Sequence, residues 1–144
     1  MNAKDFLNQL RHDDIVAAIR EAEQKTSGEI CVFISHKKLA DARAAAERAF
    51  VRLGMTKTRE HNGVLIFVAP RTRQFAVIGD EAVHKRCGDE FWQHLATEMS
   101  GHFRKSEFNQ GILHAIRKAG ALLAEYFPRC PDDRNELPDQ VAQD

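Results

Sequence analysis

Glu29, Asn62, Asp80 and Glu81, with His61 beside them, are of the types that hold a hard cation. Carboxylates with a carboxamide are the oxygen donors that calcium and magnesium prefer. A second set, Lys37, Lys38, Arg71 and Arg73, is basic and suits a phosphate or an acidic protein partner. The histidines form no metal triad, because His94 and His102 lie two helical turns apart on adjoining faces and His84 completes neither. Cys31, Cys87 and Cys130 are odd in number and lack CxxC spacing, which argues against a disulfide framework or a zinc site. Cys31 falls mid-strand, as a small hydrophobe does. Cys87 stands next to Lys85 and Arg86 ahead of a helix start, a setting that lowers a thiol pKa, but no base is placed to orient it. Ser27 and Ser35 lack a nucleophile elbow, and neither GxGxxG nor a P-loop is present.

The elements between these residues decide which of them meet. Val64–Ala69 is an unbroken apolar run between Asn62-Gly63 and Pro70, the pattern of a strand covered on both faces. After Pro70-Arg71-Thr72-Arg73 a second run, Phe75–Ile78, ends at Gly79, and so short a connection makes the pair an antiparallel hairpin over 62–80. Glu29–Ile34 is an earlier strand, and the alanine-rich stretch 39–53, closed by Gly54, is a crossover helix. A strand–helix–strand unit of this kind is right-handed and makes strands one and two parallel. Glu29 and Asn62 then stand at strand starts and Asp80 at a strand end, all on one edge, with neighbouring strands about 4.8 Å apart. Lys37, Lys38, Arg71 and Arg73 fall on the opposite edge, where open α/β sheets take their ligands.

The remaining segments are helical. A lead-in helix covers 3–10. Asp13 or Asp14 caps a second helix that ends near Thr26, and 81–86 makes a helical turn before Gly88. Asp89 caps a helix buried through Phe91, Trp92, Leu95, Met99 and Phe103, and Ser106 caps a last amphipathic helix over 108–126, ended by Pro128. Strands buried on both faces and four substantial helices predict an α/β fold, a three-layer αβα sandwich around a small mixed sheet. Strand order is open, and a fourth short edge strand is compatible with the pattern.

With 144 residues the chain is one domain, read as 1–127, followed by an acidic tail over 128–144 that carries Leu137 and Val141 and lies extended against it. Basic and acidic residues balance at 21 each, so no global preference for nucleic acid is expected. No apolar run approaches the roughly 20 residues that span a bilayer, so no membrane insertion is expected. The start of the chain has no signal-peptide apolar region, and a reducing cytoplasm is the expected location. Oligomeric state is not legible.

Several blocks, in their order and spacing, resemble the TPM domain family. They are Thr26-Ser27-Gly28-Glu29-Ile30, Phe50 with Leu53-Gly54-Met55, Asn62-Gly63-Val64-Leu65-Ile66, Arg73 ahead of Phe75–Gly79, and Phe103, Phe108, Gly111 and Ile116. The resemblance covers roughly residues 10–127. It implies an αβα sandwich, divalent cations (calcium above all) bound by some members, and phosphatase activity proposed for others, among them a thylakoid lumen acid phosphatase. Many members are secreted or membrane-anchored; this chain resembles the short bacterial cytoplasmic kind, including its tail Asn135-Glu136-Leu137-Pro138-Asp139. It departs from the commoner pattern where Thr72-Arg73 replaces an Asp-Arg pair, removing one acidic ligand. It departs again where Gly79-Asp80-Glu81 replaces Gly-Tyr-Gly, adding two.

Three functions fit these residues. The first is a regulatory or scaffolding module that binds calcium or magnesium weakly, with a dissociation constant on the order of 10⁻⁴–10⁻³ M, as two or three carboxylates without a rigid loop imply. The second is a metal-dependent phosphatase of low specificity. The third is an adaptor that docks another protein through the basic edge or the acidic tail. The cation module ranks first, because ligand-type residues are present and a nucleophile motif is not.

Overall fold

The apolar runs form β1 (Glu29–Ile34), β2 (Gly63–Ala69) and β3 (Gln74–Gly79) in a computed structural model that describes residues 3–129 and 141–144. β1 pairs with β2 in parallel, Glu29 opposite Gly63, and β2 pairs with β3 antiparallel, Val64 opposite Gly79. A fourth strand, β4 (Val141–Gln143), lies parallel to β1 on its free side, so the order is β3-β2-β1-β4. The end of the acidic tail is therefore part of the sheet. Residues 130–140, with Cys130 and Leu137, lie outside the described residues.

Every residue of β1 and β2 is buried, because both faces are covered. On one face Ile30, Val32, Ile34, Val64, Ile66 and Val68 pack under α1 (Ala3–Gln9), α2 (His12–Glu23), α4 (Glu81–Arg104) and α5 (Phe108–Tyr126). On the other face Phe33, Leu65, Phe67, Ala76 and Ile78 meet the alanines and Phe50 of α3 (Ala42–Arg52). Small side chains on α3 bring it close to the sheet, and Phe33 and Phe67 stack there with centroids 5.3 Å apart. The result is the expected αβα sandwich.

Several helix starts differ from expectation. α2 begins at His12 with Arg11 as an uncapped N-cap, and the Arg11 N–H instead donates to Asn109 Oδ1 at 2.9 Å, tying α2 to α5. Asp13 and Asp14 sit inside the first turn, where negative charge complements the helix dipole. α3 starts at Ala42, not residue 39, because Asp41 caps it through the Ala44 N–H. Ser106 does not cap α5; it takes a left-handed conformation (φ 60°) in the turn from α4. α4 is broken at Gly88 (φ 70°, ψ −178°), so the turn from Glu81 and the helix from Asp89 are two pieces across one kink.

The C-terminal strand is fastened by charge. Asp144 accepts from the Ser35 hydroxyl and, at 2.7 Å, from the His36 N–H, while Gln143 meets the His36 ring at 2.8 Å. Burial pushes the Asp144 carboxyl up, but the Ser35 and His36 hydrogen bonds and the nearby Lys37 outweigh it and hold it below the usual range. A depressed folded-state pKa means that this contribution is present above the ordinary carboxylate value and lost as pH falls through the folded one. Acidification below about pH 4 should therefore loosen β4 before the rest of the sheet. Amide exchange at His36 and Gln143 should accelerate in that window, and Asp144→Asn should abolish the pH dependence.

Candidate cation-binding edge

The edge where β1 and β2 begin and β3 ends is laced together by backbone and side chain. The Asp80 N–H donates to the Gly63 carbonyl at 2.9 Å, and the Ala82 N–H to the His61 carbonyl at 3.2 Å. His61 itself is left-handed (φ 51°), and its N–H reaches the Thr58 carbonyl at 3.3 Å. The loop 58–62 is thus folded back onto the start of α4. Asp80 caps that helix: its Oδ1 accepts from the Glu81 N–H at 2.7 Å. Its Oδ2 is buried, accepts no hydrogen bond from the described residues, and lies 3.8 Å from His61 Nδ1. The hydroxyl of Thr58, a residue only 3% exposed, is a second buried oxygen without a hydrogen-bond partner among the described residues.

The four expected cation ligands do not form one cluster. Strand alternation puts Glu29, Gly63 and Asp80 toward the α3 face, since Cys31, Leu65 and Ile78 lie there. Glu29 is buried at 2% exposure. Met55 closes over Gly63 between these two strand ends; its methyl carbon would stand 3.2 Å from a Cβ at that position. Asn62 turns to other partners, its Nδ2 donating to Ser27 Oγ at 3.1 Å and Glu60 Oε2 at 3.3 Å. Ser27 also donates to Glu60. Glu81 is exposed and drawn along its own helix to Lys85, 3.5 Å away. Among the described residues no three His, Cys, Asp or Glu side chains are grouped to hold a metal ion.

Glu60, Ser27 and Thr58 were missed by sequence reasoning. Glu60 and Thr58 lie in a polar loop whose shape is set by the left-handed His61, and Ser27, weighed only as a nucleophile, lies in the break between α2 and β1. Cys87 corrects an expectation: burial raises its thiol pKa, and the S–H donates to the Val83 carbonyl at 3.0 Å. Lys85 and Arg86 are exposed and do not offset that desolvation. Among the histidines, His102 pairs with Glu107 at 3.2 Å and His114 with Glu98, their rings 5.5 Å apart across α4 and α5. The bond from His114 holds the Glu98 carboxyl below its usual range.

At the opposite edge Lys37, Lys38, Arg71 and Arg73 are all exposed. Arg73 is left-handed (φ 55°) and follows a 3₁₀ turn over Pro70–Thr72, which replaces a simple hairpin loop. The anion found beside Lys37 is the chain's own Asp144. No helix among the described residues is long and apolar enough to cross a membrane.

Comparison with known proteins bears on the whole architecture. The family model described as the TPM domain matches residues 1–122. The NMR structure of the BA42 protein from the psychrophilic bacterium Bizionia argentinensis is similar over 94% of this chain and 96% of its own, with 37% identity and a TM-score of 0.86. The solution structure of the N-terminal domain of a protein from P. gingivalis shares the fold at 14% identity, covering 77% of this chain and 72% of that one, with a TM-score of 0.60. Comparison with curated proteins gave no match. The family model and the BA42 likeness each span most of the sequence, and the chain belongs to the TPM domain family.

Proposed function

We propose that this protein is a divalent-cation-binding regulatory or scaffolding module whose ion is taken at the junction of the 58–62 loop and the α4 start. Asp80 Oδ2 is the anchoring ligand in this reading. Carbonyl oxygens of the loop and water complete the shell. The observation that carries it is the buried Asp80 oxygen without a hydrogen-bond donor among the described residues. Leaving such an atom unsatisfied costs about 1–3 kcal/mol, more for a charged group, and a cation removes that cost. Thr58, equally buried, supports the same junction.

Calcium is favoured over magnesium because the donors come from a loop and a helix cap and do not build a rigid octahedron. With one or two carboxylates the affinity belongs on the order of 10⁻⁴–10⁻³ M. The helix dipole at Asp80 favours negative charge, so it opposes the ion and keeps binding weak. The phosphatase reading uses the same edge and differs only in whether turnover accompanies binding. Thermal unfolding distinguishes binding from none: calcium at ten times the dissociation constant adds about 1.4 kcal/mol of stability, a rise of several degrees. Asp80→Asn keeps a capping oxygen but loses the charge, and should abolish the rise. Turnover of a generic phosphomonoester, lost in Asp80→Asn, would move the assignment to the phosphatase.

A further inference from the structure

A cavity of about 560 Å³ opens on the far side of the sheet from the cation edge, between α1, the β2–β3 turn and the α4–α5 junction. Its walls are aromatic. Phe6, Phe75, Phe103 and Phe108 line it, with Phe6 and Phe108 centroids 4.9 Å apart, Phe75 and Phe103 5.4 Å, and Phe103 and Phe108 5.6 Å. Phe75, Phe103 and Phe108 are only half-buried, so their rings remain available to a guest. Arg73 and Arg104 also line the cavity, both exposed, and among the described residues none that line it is acidic. Neither guanidinium enters an ion pair among the described residues.

A third observation is independent of composition. Of the three non-glycine residues with left-handed backbones among the described residues, Arg73 and Ser106 both line this cavity. Such conformations cost on the order of 1 kcal/mol or more each and concentrate where the fold must present a group in one direction. The volume falls within the roughly 300–1,000 Å³ range of small-molecule sites, which combine apolar walls with a few placed polar groups.

We propose that this cavity binds a small organic anion with a flat aromatic body and a single carboxylate. The rings stack on or meet the edges of the phenylalanines, and the carboxylate lies between Arg73 and Arg104, whose planar guanidinium groups match it. Neither the cation edge nor Asp80 takes part.

The test titrates 2-naphthoate into the ¹⁵N-labelled protein, with 2-naphthylmethanol as the uncharged counterpart and decanoate as an aliphatic one. Naphthoate should shift residues 6, 73–75 and 103–108 together at sub-millimolar to millimolar concentration. The alcohol should bind at least tenfold more weakly, and decanoate more weakly than naphthoate. Arg73→Asn with Arg104→Gln leaves the exposed fold intact, asparagine tolerating the left-handed site, and should weaken naphthoate at least tenfold. Absence of shifts at 5 mM naphthoate overturns the site. Equal binding of acid and alcohol, or no change in the double variant, overturns the anionic head group. Decanoate binding as tightly as naphthoate overturns the aromatic body.

Discussion

Phe67→Ala is expected to destabilise the fold by about 3–5 kcal/mol, the range for removing a fully buried phenylalanine. Phe67 is 2% exposed at the centre of β2, stacked on Phe33 at an interplanar angle of 3°. The face it occupies is thin, since α3 offers mostly alanine methyls, and alanines on a rigid helix do not move in to fill the space. The cavity term therefore adds fully to the lost transfer energy. Urea unfolding should show a lower midpoint with an unchanged slope. A loss below 1 kcal/mol would mean that α3 and the sheet repack freely.

Gly79→Ala is the second large effect, and it acts at the other face. A Cβ at Gly79 would stand 2.5 Å and 2.9 Å from two ring carbons of Trp92, and 3.3 Å from Val83. The φ at Gly79 is not the difficulty; the space is. Trp92 is itself held edge-on by Phe91, with centroids 5.0 Å apart, so the ring has little room to retreat. Overpacking of this kind costs about 1–3 kcal/mol. The strain falls on the turn between β3 and α4, one residue from Asp80, so Gly79→Ala should also weaken calcium binding. Gly79→Ala combined with Trp92→Phe, which frees the six-membered ring of the indole, should recover most of the stability. Failure to recover it would place the strain in the backbone.

These two sites show what periodicity makes legible. Apolar runs bounded by Gly63 and Pro70, and by Phe75 and Gly79, admit one local answer, and β1, β2 and β3 lie at their expected residues. The parallel direction of β1 and β2 follows from the crossover helix between them. Strand order was not legible, because the apolar runs leave open whether β1 lies beside β2 or beside β3, and the three residues of β4 carry too little pattern. Helix starts were misread where a tertiary contact replaced a local cap, as at Arg11, held by Asn109 from 98 residues away.

The candidate site was legible to the level of an edge and not beyond it. Strand directions bring Glu29, Asn62 and Asp80 to the same end of the sheet. Which way each side chain turns depends on single-residue parity and on the loop that follows. Asn62 lies outside the strand and pairs with Ser27 and Glu60, and Glu81 answers to Lys85 on its own helix. The aromatic cavity escaped because its walls come from α1, β3, α4 and α5, and each phenylalanine alone reads as core.

The central claim is a cation at the Asp80 junction, and a calcium titration followed by backbone NMR tests it most directly. Residues 28–30, 58–63 and 79–82 should shift together along one saturating curve at 0.1–10 mM calcium, a range set by the on-the-order-of 10⁻⁴–10⁻³ M affinity expected for such donors. Asp80→Asn should flatten that curve while leaving the α4 start intact, because asparagine caps as well as aspartate. If those three segments stay unmoved at 10 mM calcium, or move equally in Asp80→Asn, the junction is a solvated edge and not a cation site.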